Sequence, residues 1–118
     1  MRLFASLLLL VSLSLFAQDK GKKAGPPPPK NLKLLNPNAN IREIMQGFEK
    51  ALGVTQCTYC HVQGDFASDD NPKKNTARMM IAMAQDINAK FPDGKVHVRC
   101  YTCHHGQSEP LTEPPAAQ

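Results

Sequence analysis

The 118-residue chain has no tryptophan, two tyrosines and five phenylalanines, so aromatics make up only 6% of it. A domain of this length must bury large apolar side chains to hold together, and this inventory is thin for a fold resting on side chains alone. Long apolar runs are equally scarce. The one present, Leu3 to Phe16, is broken only by Ser6, Ser12 and Ser14. It is shorter than the ~20 residues that span a bilayer. Charge of one sign is in modest excess, with a net +4. The basic residues are scattered, which argues against a nucleic-acid partner. Cysteine is absent outside two short clusters, so no lipid-modified cysteine follows the apolar run.

What is present begins with an export pattern. Met1-Arg2 is a short basic start, Leu3 to Phe16 an apolar centre, and Ala17 precedes the polar Gln18-Asp19-Lys20. This is the order of a cleaved secretory signal over residues 1–17, which places the mature chain in the periplasm or outside the cell. Retention of the segment as an anchor is the alternative. Residues 18–35 form a Pro- and Lys-rich linker and lead-in, with Pro26 to Pro29 in a row and Leu32, Leu34 and Leu35 at its end. The remaining length allows one domain, over residues 36–108, followed by a Pro-rich tail from Glu109 to Gln118.

The four cysteines lie in two copies of one motif. Cys57-Thr58-Tyr59-Cys60-His61 and Cys100-Tyr101-Thr102-Cys103-His104 both read C-x-x-C-H, the attachment signature of a c-type haem. One helical turn presents both thiols to the vinyl groups of the porphyrin, and the following His supplies the proximal nitrogen to iron. Two covalently attached haems would supply the missing apolar volume, and their propionates would offset most of the positive charge. Two other chemistries are open to paired C-x-x-C. One is a four-thiolate zinc site and the other a pair of small disulfides, but neither needs the His after each second cysteine.

Periodicity predicts a mainly α protein with little strand, built as two helix–turn–C-x-x-C-H repeats. Ile41, Ile44, Met45, Phe48 and Leu52 share one face of a helix over residues 41–52, capped by Asn40 and stopped by Gly53. Residues 66–74 carry turn chemistry in Asp69-Asp70-Asn71-Pro72. A second helix is predicted over 75–91, with Ala77, Met80, Ile81, Ala84, Ile87 and Phe91 inward, and Val96 and Val98 then alternate into the second motif.

If each iron is six-coordinate, a second axial ligand must come from elsewhere. The candidates are Met45, Met79, Met80 and Met83, since a thioether stabilises ferrous iron. Helical register ranks Met80 first in the second helix, then Met83, then Met79, although a Met at helical spacing also serves as core filler. His97 and His105 are poorly placed to ligate and read as surface or propionate-contacting residues. Arg78 and Arg99 are candidates to neutralise propionates.

Residues 41–106 resemble the cytochrome c subunit of photosynthetic reaction centres. The resemblance lies in both C-x-x-C-H motifs, in Phe66-Ala67-Ser68, in Ala77-Arg78-Met79-Met80-Ile81-Ala82-Met83 and in Ile87-Asn88, taken in the family's order. It implies that a Met on the helix before each haem-binding turn is the sixth ligand. That assigns Met45 to the haem on Cys57 and Cys60, and Met80, with Met83 as fallback, to the haem on Cys103 and Cys100. Photosynthetic members carry four haems, whereas this chain has motifs for two, and His105 stands where the family usually has Arg. The expected protein is therefore a free-standing di-haem electron carrier, with redox proteins as partners and a membrane-bound electron-transfer complex among the candidates. A di-haem peroxidase-like enzyme is the alternative, and it would need one iron with an open distal position.

Overall fold

A computed structural model describes residues 27–116. The predicted signal segment and the first part of the linker lie outside the described residues. Three α-helices and one 3₁₀ turn carry the fold: α1 (Ile41–Leu52), the turn Cys57–Tyr59, α2 (Pro72–Ala89) and α3 (Cys100–His104). No strand occurs among the described residues; Val62 and Asp65 form an isolated bridge.

Helix α1 has the predicted bounds because both ends are written locally. The Asn40 Oδ1 accepts from the Glu43 amide at 3.2 Å, and its Nδ2 donates back to the Glu43 carboxylate at 3.3 Å. At the other end Gly53 turns left-handed (φ 66°), and the Val54 amide closes on the Glu49 carbonyl at 3.1 Å. Glu43 in the first turn and Lys50 in the last both suit the helix dipole.

Helix α2 starts three residues earlier and ends two residues earlier than the spacing predicts. Pro72 is the first residue of the helix rather than part of a turn, because a fixed φ and a missing N–H cost nothing at that position. Asn71 caps it by accepting from the Lys73 amide at 3.0 Å. Pro92 cannot continue a helix, and the chain leaves α2 through the Lys90 and Phe91 amides, which bond the Ile87 and Asn88 carbonyls at 3.1 and 3.2 Å.

The alternation at Val96 and Val98 builds no ladder. Instead the Asn88 side chain takes the place of a neighbouring strand. Its Oδ1 accepts from the His97 and Val98 amides at 2.8 and 2.9 Å, and its Nδ2 donates to the Val98 carbonyl at 2.8 Å. The lead-in is likewise pinned by side chains. Asn31 Nδ2 donates to the Ala67 carbonyl at 2.7 Å, Arg78 to the Asn31 carbonyl at 3.3 Å, and Gln85 to the Leu34 carbonyl at 3.2 Å.

Short α3 packs against both longer helices. Just past α3, a main-chain bond ties the chain to α1: the Gly106 amide donates to the Ala51 carbonyl at 2.9 Å. A Cβ on Gly53 would overlap the Gly106 carbonyl, so the crossing requires glycine there for space as well as for φ.

The interior is small. Among the described residues only Ala51 and His104 are buried, whereas Phe66, Met79, Met83, Ile87, Phe91 and Tyr101 are exposed. The predicted inward stripe of α2 holds at Ala77, Met80, Ile81 and Ala84, which are half-buried, and fails at Ile87 and Phe91.

Candidate functional site

Each C-x-x-C-H forms a single turn that sets its cysteines on one side. In the first, the Cys60 and His61 amides both return to the Cys57 carbonyl, at 3.2 and 2.9 Å. In the second, the Thr102 amide bonds the Arg99 carbonyl at 2.9 Å while the Thr102 hydroxyl accepts from the Arg99 amide at 3.0 Å, so α3 starts at Cys100. None of the four cysteines is paired in a disulfide. Burial pushes the half-buried Cys60 and Cys100 thiols above their ordinary pKa, whereas Cys57 and Cys103 are exposed. The zinc and disulfide readings therefore find no geometry here: among the described residues no three His, Cys, Asp or Glu side chains gather as a metal site.

The decisive detail lies at the two histidines. His61 Nδ1 is 3.1 Å from the Phe66 carbonyl oxygen, and His104 Nδ1 is 2.9 Å from the Gln107 carbonyl oxygen. A carbonyl can only accept, so each Nδ1 donates its proton, and in the neutral imidazole Nε2 then keeps its lone pair. That is the tautomer an iron ligand requires, and the carbonyl also fixes the ring's orientation. Both returns of the chain use left-handed residues: Gly64 (φ 81°) in the first, His105 (φ 50°) and Gly106 (φ 83°) in the second. Histidine is among the side chains that tolerate this conformation.

The surroundings fit an iron porphyrin. A cleft of about 220 Å³ beside Cys100 is lined by Leu35, Ile44, Phe48, Ile81 and Val98, so α1, α2 and the lead-in jointly present an apolar wall to the second motif. Two thiols one turn apart and an imidazole whose Nδ1 is held by a carbonyl, with an apolar wall beside the second pair, are the groups that would hold a covalently attached haem.

The chain matches the model of the photosynthetic reaction centre cytochrome C subunit family over residues 16–113. It belongs to that family. The chain is 42% identical over 74 residues to cytochrome c-554 of Chloroflexus aurantiacus, a match covering 58% of this chain and 18% of the relative. It is 38% identical over 85 residues to the photosynthetic reaction center cytochrome c subunit of Rubrivivax gelatinosus, covering 58% and 23% respectively. Against the same subunit from Roseobacter denitrificans it is 43% identical over 81 residues, covering 60% and 22%. The chain thus spans less than a quarter of the length of these relatives. No solved structure matches it. The mainly helical, strand-poor architecture agrees with a small c-type cytochrome of this family.

The other sequence candidates are placed as follows. Met45 on α1 and Met80 on α2 are half-buried, and Met79 and Met83 are exposed. Arg78 is engaged within the protein: its guanidinium lies 2.8 Å from the Asp69 carboxylate and 3.1 Å from Asn75 Oδ1. His97 is held too, with Nε2 at 2.9 and 3.0 Å from the two Asp93 oxygens and its ring stacked on Phe91 at 3.9 Å. That histidine, with the Lys95 amide, holds the Asp93 carboxyl below its ordinary range. His105 is exposed, with its ring 5.7 Å from Tyr101.

Sequence reading passed over three residues that shape the sites. Asp69 gathers Arg78, Asn31, Lys33 and Lys74, and the Arg78 guanidinium is the main reason its carboxyl lies well below the usual carboxylate range. Lys74 reaches the carbonyls of residues 66–68. Asn88 holds the approach to the second motif. In the sequence Asp69 stood out only as turn chemistry and Asn88 only within the Ile87-Asn88 pair of the resemblance.

Proposed function

We propose that this protein is an exported di-haem cytochrome that relays single electrons between redox proteins. Cys57 and Cys60 hold one haem with His61 as proximal ligand; Cys100 and Cys103 hold the other with His104. Met45 on α1 and Met80 on α2 are the distal ligands, with Met83 as the substitute for Met80. A haem bound in this way supplies an iron that cycles between ferric and ferrous states. The chain's own contribution is to orient the imidazoles, fill the distal positions and exclude water with helix faces.

The observation that carries this reading is the pair of Nδ1–H to carbonyl bonds, which set both histidines in the iron-binding tautomer by separate backbone routes. Residues 1–17 serve as the export signal, which brings the chain to the compartment where haem c is attached. Its partners are redox proteins, and a membrane-bound complex is one candidate. Among the described residues no helix is long and apolar enough to cross a membrane.

The test is to express the full chain with the haem-attachment machinery and record intact mass and optical spectra, oxidised and dithionite-reduced. Two haem additions, cleavage after Ala17, sharp reduced bands and a weak Met–ferric band are expected. A high-spin ferric spectrum would transfer the protein to the peroxidase-like reading, and a haem-free mass would overturn both.

A further inference from the structure

The two histidine-accepting carbonyls are not equivalent. The Phe66 oxygen accepts from His61 Nδ1 at 3.1 Å and also from Lys74 Nζ at 2.9 Å. The same ammonium bonds the Ala67 and Ser68 carbonyls at 2.8 and 2.6 Å and lies 3.3 Å from Asp69 Oδ1. It is held among four oxygens, and the Lys74 side chain is only 11% exposed. At the second motif, the Gln107 oxygen accepts the His104 Nδ1–H at 2.9 Å and no other donor among the described residues.

An imidazole whose N–H is strongly accepted gains imidazolate character and donates more to iron, which favours the ferric state. A carbonyl already loaded by an ammonium is a poorer acceptor, so this push is weaker. The charge itself acts in the same sense, because a nearby cation disfavours the more positive ferric centre. Asp69 and Asp65, the latter accepting from the Ala67 and Ser68 amides, offset that field, and Lys33 and Arg78 share the Asp69 carboxylate. The direct loading of the Phe66 carbonyl by the ammonium is therefore what sets this site apart.

We propose that Lys74 is a positioning residue that raises the reduction potential of the haem held by Cys57 and Cys60, acting through the Phe66 carbonyl on His61, with no counterpart at His104. This rests on the di-haem reading above.

The experiment uses the full-length holoprotein with Lys74→Met and Lys74→Arg. Intact mass is taken first: fewer than two haems in the parent protein sinks the di-haem reading and not this inference alone. Redox titration then resolves the two one-electron steps, and ¹⁵N-histidine NMR of the reduced protein follows each Nδ1 proton. In Lys74→Met one step should fall, changing the reduced-to-oxidised ratio of that haem by about three- to tenfold at fixed potential, tenfold being about 59 mV. The His61 Nδ1 proton should move downfield while the His104 proton and the other step stay put, and Lys74→Arg should restore both. Unmoved steps, an equal fall in both, a rise, or a fall without the His61 proton shift would each overturn the proposal. If Lys74→Met does not load haem, Lys74→Gln, which still donates to the carbonyls but lacks the charge, must show the same signs or the proposal fails.

Discussion

The two C-x-x-C-H turns reach the same chemical state by different constructions. The first is a 3₁₀ turn followed by a five-residue return to Phe66, and His61 remains half-buried. The second is a short α-helix with a three-residue return to Gln107, and His104 is one of the two buried residues among those described. The exposed cysteine is the first of its pair in one motif and the second in the other. What they share is a backbone carbonyl brought to Nδ1. The five-letter motif therefore supplies the histidine, and the next few residues supply the carbonyl that orients its ring. The second site leans on packing against α1 and α2, while the first leans on the polar cluster around Asp69 and Lys74.

That contrast can be broken most severely at the second site. Gly53→Ala places a methyl against the Gly106 carbonyl at a positive φ, and a cost of about 3 kcal/mol is expected. Denaturant unfolding of the holoprotein measures it, and the spectral change should begin with the haem proposed for Cys100 and Cys103. Asn88→Ala removes three hydrogen bonds that hold the extended approach to Cys100, at about 2–3 kcal/mol. Amide exchange should report loss of protection at His97 and Val98 with little change at residues 61–68.

A matched pair sharpens the comparison further. Gly106→Ala and Gly64→Ala each put a side chain at φ above 80°, where Gly106 has ordinary contact with the Tyr101 ring and Gly64 faces open space. Each should cost about 1 kcal/mol. The first should disturb only the His104 Nδ1 proton and the second only that of His61. NMR changes at both histidines from either substitution would show that the sites are not independent.

The smallest effect is acid sensitivity at the first site. The folded Asp69 carboxyl titrates below its ordinary 3.8 because Arg78, then Asn31, and then Lys33 and Lys74 hold its ionised form. Its contribution is complete above the unfolded value and disappears as pH falls through the folded one. At about pH 3 the Asp69 carboxyl carbon should still show the ionised shift, and the loop 66–69 should loosen only below that.

The legible parts of this molecule are those whose signals are local. Helix α1 could be bounded to the residue because Asn40 and Gly53 each act on their immediate neighbours, and the four cysteines and two histidines are visible in their spacing. Pro72 was misread because proline serves a turn and a first helical position equally well, and the choice depends on the Asn71 cap. The roles of Asp69, Lys74 and Asn88 were out of reach, because each acts across roughly six to thirty-eight residues of chain through geometry that no pattern records. The accepting carbonyls were also hidden, since every residue carries one and Phe66 and Gln107 do not serve through their side chains.

The bond from Gly106 to Ala51, with Gly53 lying against it, has a consequence for how such a chain can diverge. It joins the end of α1 to the segment just past His104 through main-chain atoms. Sequence drift can therefore recolour the surface, exchange partners or retune either centre without sliding one half of the molecule past the other. Selection needs to guard Gly53, whose missing side chain leaves the seam room to close.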